Sequence, residues 1–208
     1  MPTYTSQPDG TSGIDAHIAS DVPNTNRGTV ASADVGEYSG AVGRMLLKFD
    51  LSSIPSSAVV SSATLTLTPV GDYSSNARTL SVYRCLRAWT EAGVTWNKYD
   101  GTNAWGTAGA DNTTSDRESS AIGTLSVGAS PTLNTGMDIT LTASKIQEMV
   151  SGTFTNNGFV IRVDTENADD IQWATSDHAT AGYRPKLVIE YSLPSGVAVA
   201  SLSDYGII

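Results

Sequence analysis

The sequence holds one cysteine, Cys85, which excludes an internal disulfide and any cysteine-built metal cluster. It holds two histidines, His17 and His178, far apart in the chain, and no Gly-x-Ser-x-Gly elbow. Nucleophilic catalysis therefore lacks its usual apparatus. No window approaches 18 consecutive apolar residues, so no helical membrane span is encoded. Basic residues are scarce: 12 Lys and Arg stand against 21 Asp and Glu, a net charge of −9. That balance repels nucleic acid and anionic membrane, and neither is an expected partner. The opening MPTYTSQPDGTSG has no basic n-region and no apolar h-region, so no Sec signal peptide is expected. No repeat of 20–50 residues is visible, which argues against a solenoid or propeller.

What the 208 residues do contain is alternation. Met45, Leu47, Phe49 and Leu51 alternate with Arg44, Leu46, Lys48 and Asp50, and Thr64, Thr66 and Thr68 alternate with Ala63, Leu65 and Leu67. Further strand patterns cover 14–19, 29–33, 79–86, 137–141, 159–163 and 187–191, rich in β-branched and aromatic residues. Many short strands divided by Gly, Asn, Asp, Ser and Pro predict an all-β sandwich of two antiparallel sheets. One short helix is expected over 142–150, where Ile146, Met149 and Val150 share a face, Thr142 or Ser144 caps the start and Gly152 stops it. Residues 100–120 read as a long polar loop. The chain divides into an N-terminal extension (1–13), one β-domain (14–191) and an apolar C-terminal tail (192–208).

Candidate chemistry is sparse. If Met45, Leu47 and Phe49 face the core, Arg44 and Lys48 face outward together, and Arg162, Arg84 and Tyr83 can join them on one sheet. Such a stripe suits an anionic polysaccharide through charge and stacking; the competing reading is a set of ion-paired or solvated cations. Carboxylate pairs for glycoside hydrolysis can be drawn from Glu91, Asp164, Glu166, Asp169 and Asp170, but any acidic β-protein offers such pairs. No cofactor is required. Structural calcium is the one cation the composition suggests, held by Asp21, Asn24 and Asn26, or by the acidic run 164–170; the competing reading is an Asx-rich turn. Trp89 and Trp96 are expected in a buried corner, with a sugar-stacking platform as the alternative. Cys85, in an alternating strand, reads as inert packing.

Four motifs stand in order: IDAHIASDVPNTNRG (14–28), GRMLLKFDLSSIPSSAVVSSATLTL (43–67), WTEAGVTWNKY (89–99) followed by AWGTAGA, and NNGFVIRV (156–163) with YRPKLVIEY (183–191). Together they resemble the DNRLRE domain family, treated also as a carbohydrate-binding module family, over nearly the whole chain. The resemblance implies a jelly-roll sandwich and a non-catalytic role in polysaccharide binding or adhesion, with alginate among the ligand types. It also implies modules set within larger secreted or surface proteins. The missing leader and the tail point instead to a structural protein of an assembled particle, a bacteriophage virion surface component such as a capsid decoration or tail-fibre protein. Such a protein is made in the host cytoplasm and joins copies of itself and other particle proteins. In that reading Val197, Val199, Leu202, Tyr205, Ile207 and Ile208 are assembly residues, since apolar side chains left in water are an aggregation hazard. The alternative is a free-standing extracellular carbohydrate-binding module for an anionic polysaccharide. Neither reading is an enzyme.

Overall fold

In the computed structural model, residues 1–167 and 169–194 are described. They form β1 (Thr3–Ser6), β2 (Ile14–Ala19), β3 (Ser32–Tyr38), β4 (Ala41–Lys48), β5 (Val59–Leu67), β6 (Pro69–Asp72) and β7 (Arg78–Arg84). Then follow β8 (Gly123–Val127), β9 (Met137–Leu141), α1 (Ala143–Ser151), β10 (Phe159–Val163), β11 (Ile171–Ala174) and β12 (Lys186–Ser192). The smaller sheet runs β1-β12-β5-β9, and the larger runs β6-β11-β3-β4-β10-β7-β8 with β2 along β4. Set aside β2, β3, β6 and β11, and the remaining order is 1-12-5-9 facing 4-10-7-8, a jelly roll. The fold class read from the alternation is the one observed.

Period-2 patterning explains the core between the sheets. Leu65 and Leu67 face inward while Thr64 and Thr66 face out, and β12 and β9 pair on either side of β5 in matching register. Met45, Leu47, Phe49, Leu65, Leu67, Ile161 and Leu187 all lie in this one core. α1 closes one end with Ile146, Met149 and Val150, and Gly152 ends it in the left-handed conformation (φ 78°). Thr142 stands at the N-cap but makes no cap bond to the helix; its hydroxyl donates to the Ile122 carbonyl. No helix among the described residues is long and apolar enough to cross a membrane.

The outer face of the larger sheet is also covered, contrary to the expectation of an exposed polar face. From Gly43 to Leu47, β4 is buried without interruption. Residues 86–122 fold across it, and Leu46, Val160, Ala16 and Ile18 pack against Cys85, Trp89, Val94 and Trp105 as a second core. The indole of Trp89 donates to the Asn157 carbonyl (2.9 Å) and that of Trp105 to the Thr95 carbonyl (3.0 Å). Asp116, wholly buried, accepts from the backbone N–H groups of Gly106, Thr107 and Asn112 (2.9, 2.9 and 3.2 Å). The polar stretch 100–120 is thus a tied cover rather than a free loop.

The sandwich also starts earlier than the boundary at residue 14. Thr3 to Ser6 pair with Glu190 to Leu187, so the N-terminal extension contributes an edge strand. The tail residues Val197, Val199, Leu202, Tyr205, Ile207 and Ile208 lie outside the described residues.

Candidate functional site

Arg44, Tyr83 and Arg162 do meet on the outer face of β4, β7 and β10, but as a closed ion-pair network. Arg44 is 3% exposed. Its guanidinium grips Glu166 through two bonds (2.7 and 2.8 Å), donates to the Gly109 carbonyl (2.6 Å) and lies 5.1 Å from the Trp96 ring centre. Arg162 pairs with Asp111 (2.6 Å) and Glu166 (3.0 Å), and Arg117 pairs with Asp111 (2.7 Å) while covering the Tyr83 ring. Burial works against the Asp111 charge, but Arg117, Arg44 and Arg162 outweigh it and hold the carboxyl below its ordinary range. The stripe is therefore corrected in two respects: distant segments supply the counter-charges and leave Arg44 buried among its partners, and Arg84 does not share the face. Arg84 sits on the opposite, inner face, paired with Glu118 and Glu148 beside α1.

Lys48 behaves differently, because it is the last residue of β4 and reaches past the cover. Among the described residues it has no carboxylate within ion-pair distance. Two open grooves share it. One, of about 810 Å³, runs past Ile14, Ser52, Pro55, Met149 and Asn156; the other, of about 430 Å³, runs past Tyr4, Thr5, Gln7 and Pro8. Both also share Ser12 and Asp50. The Tyr4 hydroxyl donates to the Asp50 carbonyl, fixing the ring as one wall. Backbone and hydroxyl bonds from Ser52 hold the Asp50 carboxyl below its ordinary range. At the far end of β10, a groove of about 640 Å³ is walled by Asp164 and Asp169.

The expected calcium ligands serve other ends. The Asn26 amide donates to the Glu91 and Val94 carbonyls (2.6 and 2.8 Å), and Asn24 accepts from the Asn97 amide (3.0 Å). Both pin the WTEAGVTWN corner to the segment after β2. Asp21 instead borders a cavity of about 110 Å³ with His17, Arg27, Asp34 and Asp170. Burial pushes the His17 imidazole down to about 4 and the Asp170 carboxyl up to about 6, the latter helped by Asp34. In the acidic run, Glu166 is ion-paired and Asp169 accepts from the backbone N–H groups of Glu37 and Asn167. Cys85 is buried, and burial pushes its thiol up to about 12, which leaves it inert.

The carboxylates that do converge are Asp15, Glu91 and Asp177, with one oxygen of each within 4.8 Å of the others. Burial raises all three, Asp15 to about 6. They come from β2, the corner after Trp89 and the loop after β11, so no spacing in the sequence announces them. Nor did the sequence mark the groove, whose Tyr4 wall lies in the supposed extension.

The family whose model matches the chain is the disaggregatase related repeat domain, over residues 15–189. The chain belongs to that family. No curated protein shows significant similarity to it. The matched span runs from β2 into β12, so this disaggregatase related repeat domain is the sandwich itself, with β1 added at its edge.

Proposed function

We propose that the chain is a non-catalytic polysaccharide-binding module that holds an extended glycan in the grooves meeting at Lys48. The observation that carries this is the groove: an unpaired ammonium, a fixed aromatic wall at Tyr4, and hydroxyl and amide groups from Ser12, Ser52, Gln7 and Asn156. A lysine can meet a uronate carboxylate, and neutral donors can meet hydroxyls. Asp50 is the one carboxylate among the described groove residues, whereas glycoside hydrolysis uses two. The far groove has Asp164 and Asp169 at its wall, and its one cation among the described residues, Arg78, is already paired with Asp72, so it suits an acidic sugar less well. The resemblance to DNRLRE domains and the family's character as a repeat domain support an accessory, adhesive role.

Retention in native gels cast with alginate, pectin or neutral glucans tests this reading. We expect retention by an acidic glycan that weakens about tenfold in Lys48→Ala, the size of one charge-assisted hydrogen bond. Equal retention of Lys48→Ala and the unaltered protein would place the site elsewhere.

A second reading, a component of an assembled virion or similar particle, draws on the apolar composition of residues 195–208 and on β1. Among the described strands β1 pairs only with β12, so its other edge is open to strand addition. Deleting 195–208 should then abolish self-association measured by sedimentation; unchanged association would count against assembly through this segment.

A further inference from the structure

We propose that Asp15, Glu91 and Asp177, together with the Ser176 hydroxyl, form a calcium-binding site that fastens β2 to the WTE corner and to the loop after β11. Alternation along β2 turns Ala16 and Ile18 toward the second core and Asp15 to the opposite side, against Ser176. The Ser176 N–H donates to Asp15 Oδ2 (2.7 Å), and the Asp15 N–H donates to Glu91 Oε1 (3.0 Å). These bonds set the carboxylates side by side, with Asp177 completing the trio.

Three carboxylates so placed repel one another, and among the described residues none has a Lys or Arg within ion-pair distance. The independent sign of a ligand is polar burial without a partner. Asp15 is 1% exposed and Ser176 is 0% exposed, yet Asp15 Oδ1 and Ser176 Oγ have no hydrogen-bond partner. The Ser176 hydroxyl is near enough to the Asp15 carboxylate to favour its charge but lacks the geometry of a hydrogen bond to it, so both atoms belong to one spot. Buried polar atoms are seldom left unsatisfied, and a bound cation satisfies several oxygens at once.

The surrounding backbone makes room for this arrangement. A Cβ at Gly10 would run into the Asp177 carboxylate, one at Gly13 into the Ser176 hydroxyl, and one at Gly28 into the Glu91 backbone and side chain. The donors are all oxygen, the preference of a hard cation, with no sulfur or imidazole in the trio. Calcium holds its oxygens at about 2.3–2.6 Å, so ligands on opposite sides stand up to about 5 Å apart. Oxygens within 4.8 Å of one another are near enough to share one such shell.

Calorimetric titration of Ca²⁺ into the chelator-treated full chain, paired with thermal melting, tests the site. We expect saturable binding to a single site and a melting temperature raised by about 5–10 °C at a hundredfold excess over Kd. Asp177→Asn, on the most accessible of the three positions, should keep the fold and weaken Ca²⁺ at least about tenfold; Glu91→Gln should do the same. Absence of binding heat with an unmoved melting temperature would overturn the proposal. So would variants that bind Ca²⁺ as the parent does, and Mg²⁺ binding as tightly as Ca²⁺ would overturn the calcium assignment.

Discussion

Arg44 and Lys48 lie four residues apart on one face of one strand, and their fates differ because of where the strand ends. Arg44 sits mid-sheet under the 86–122 cover, where Glu166, Asp111 and the Gly109 carbonyl take its donors. Without Arg44, Glu166 and Asp111 keep Arg162 and Arg117 as partners, but charge-assisted bonds are lost and the Gly109 carbonyl is left unpaired, at a cost of about 2–3 kcal/mol. Arg44→Ala should therefore lose about that much stability in urea denaturation, while folded protein keeps its glycan retention. A loss below about 1 kcal/mol would show that the network is not structural. Asp170 makes a second residue-scale prediction. Burial raises its pKa from the ordinary 3.8 to about 6, with Asp34 adding to the rise and Arg78 opposing it. Below about pH 4 the folded and unfolded chains both hold this proton, and the raised pKa contributes its full stabilisation. Between about 4 and 6 the unfolded chain releases the proton first, and that contribution is lost. Asp170→Asn has no such proton, so its melting temperature should gain on the parent's as pH rises through that window and then hold level. A constant offset across pH 4–7 would contradict the shift.

At the scale of elements, alternation was a good guide wherever one face is apolar and the strand is long. β2, β9 and β10 occupy the ranges their patterns mark, and α1 is displaced from its pattern by one residue. β3 runs from Ser32 to Tyr38 rather than over 29–33, and its second half carries Gly36, held at φ 129° against the Asp169 backbone, where alternation is hard to read. β6 and β11 span only four residues each, and β6 opens on a proline and contains a glycine, so neither carries a readable period. β1 is a polar edge strand whose place is set by its pairing with β12 rather than by its own residues. The 86–122 cover reads as loop in the sequence because side-chain-to-backbone bonds at Asp100, Asn112 and Asp116 hold it, and such residues favour turns. The outward face of Arg44, Tyr83 and Arg162 was legible; its burial was not, since Asp111 and Glu166 arrive from far along the chain. Trp105 tests the cover directly. Trp105→Ala should cost about 3–5 kcal/mol, as for other buried aromatics, with loss of tertiary signal in near-ultraviolet circular dichroism. A change under about 1 kcal/mol would return the segment to the status of a free loop.

Across the whole molecule, the sandwich buries one face of each sheet between them and covers the outer face of the larger, so open grooves gather at its ends. The net charge of −9 disfavours a polyanion at long range, and the arginines of the network are all ion-paired, which leaves Lys48 as the cation the groove presents. One wall of that groove, Tyr4 to Pro8, precedes the family match, which begins at residue 15. The measurement that bears most directly on the account is residue-resolved: amide chemical-shift mapping of the ¹⁵N-labelled chain during titration with an acidic oligosaccharide. Shifts should gather at Tyr4, Ser12, Lys48, Asp50 and Asn156. Shifts gathered instead around Asp111, Tyr83 and Arg162, or around Asp164 and Asp169, would contradict it, as would a spectrum that no oligosaccharide moves.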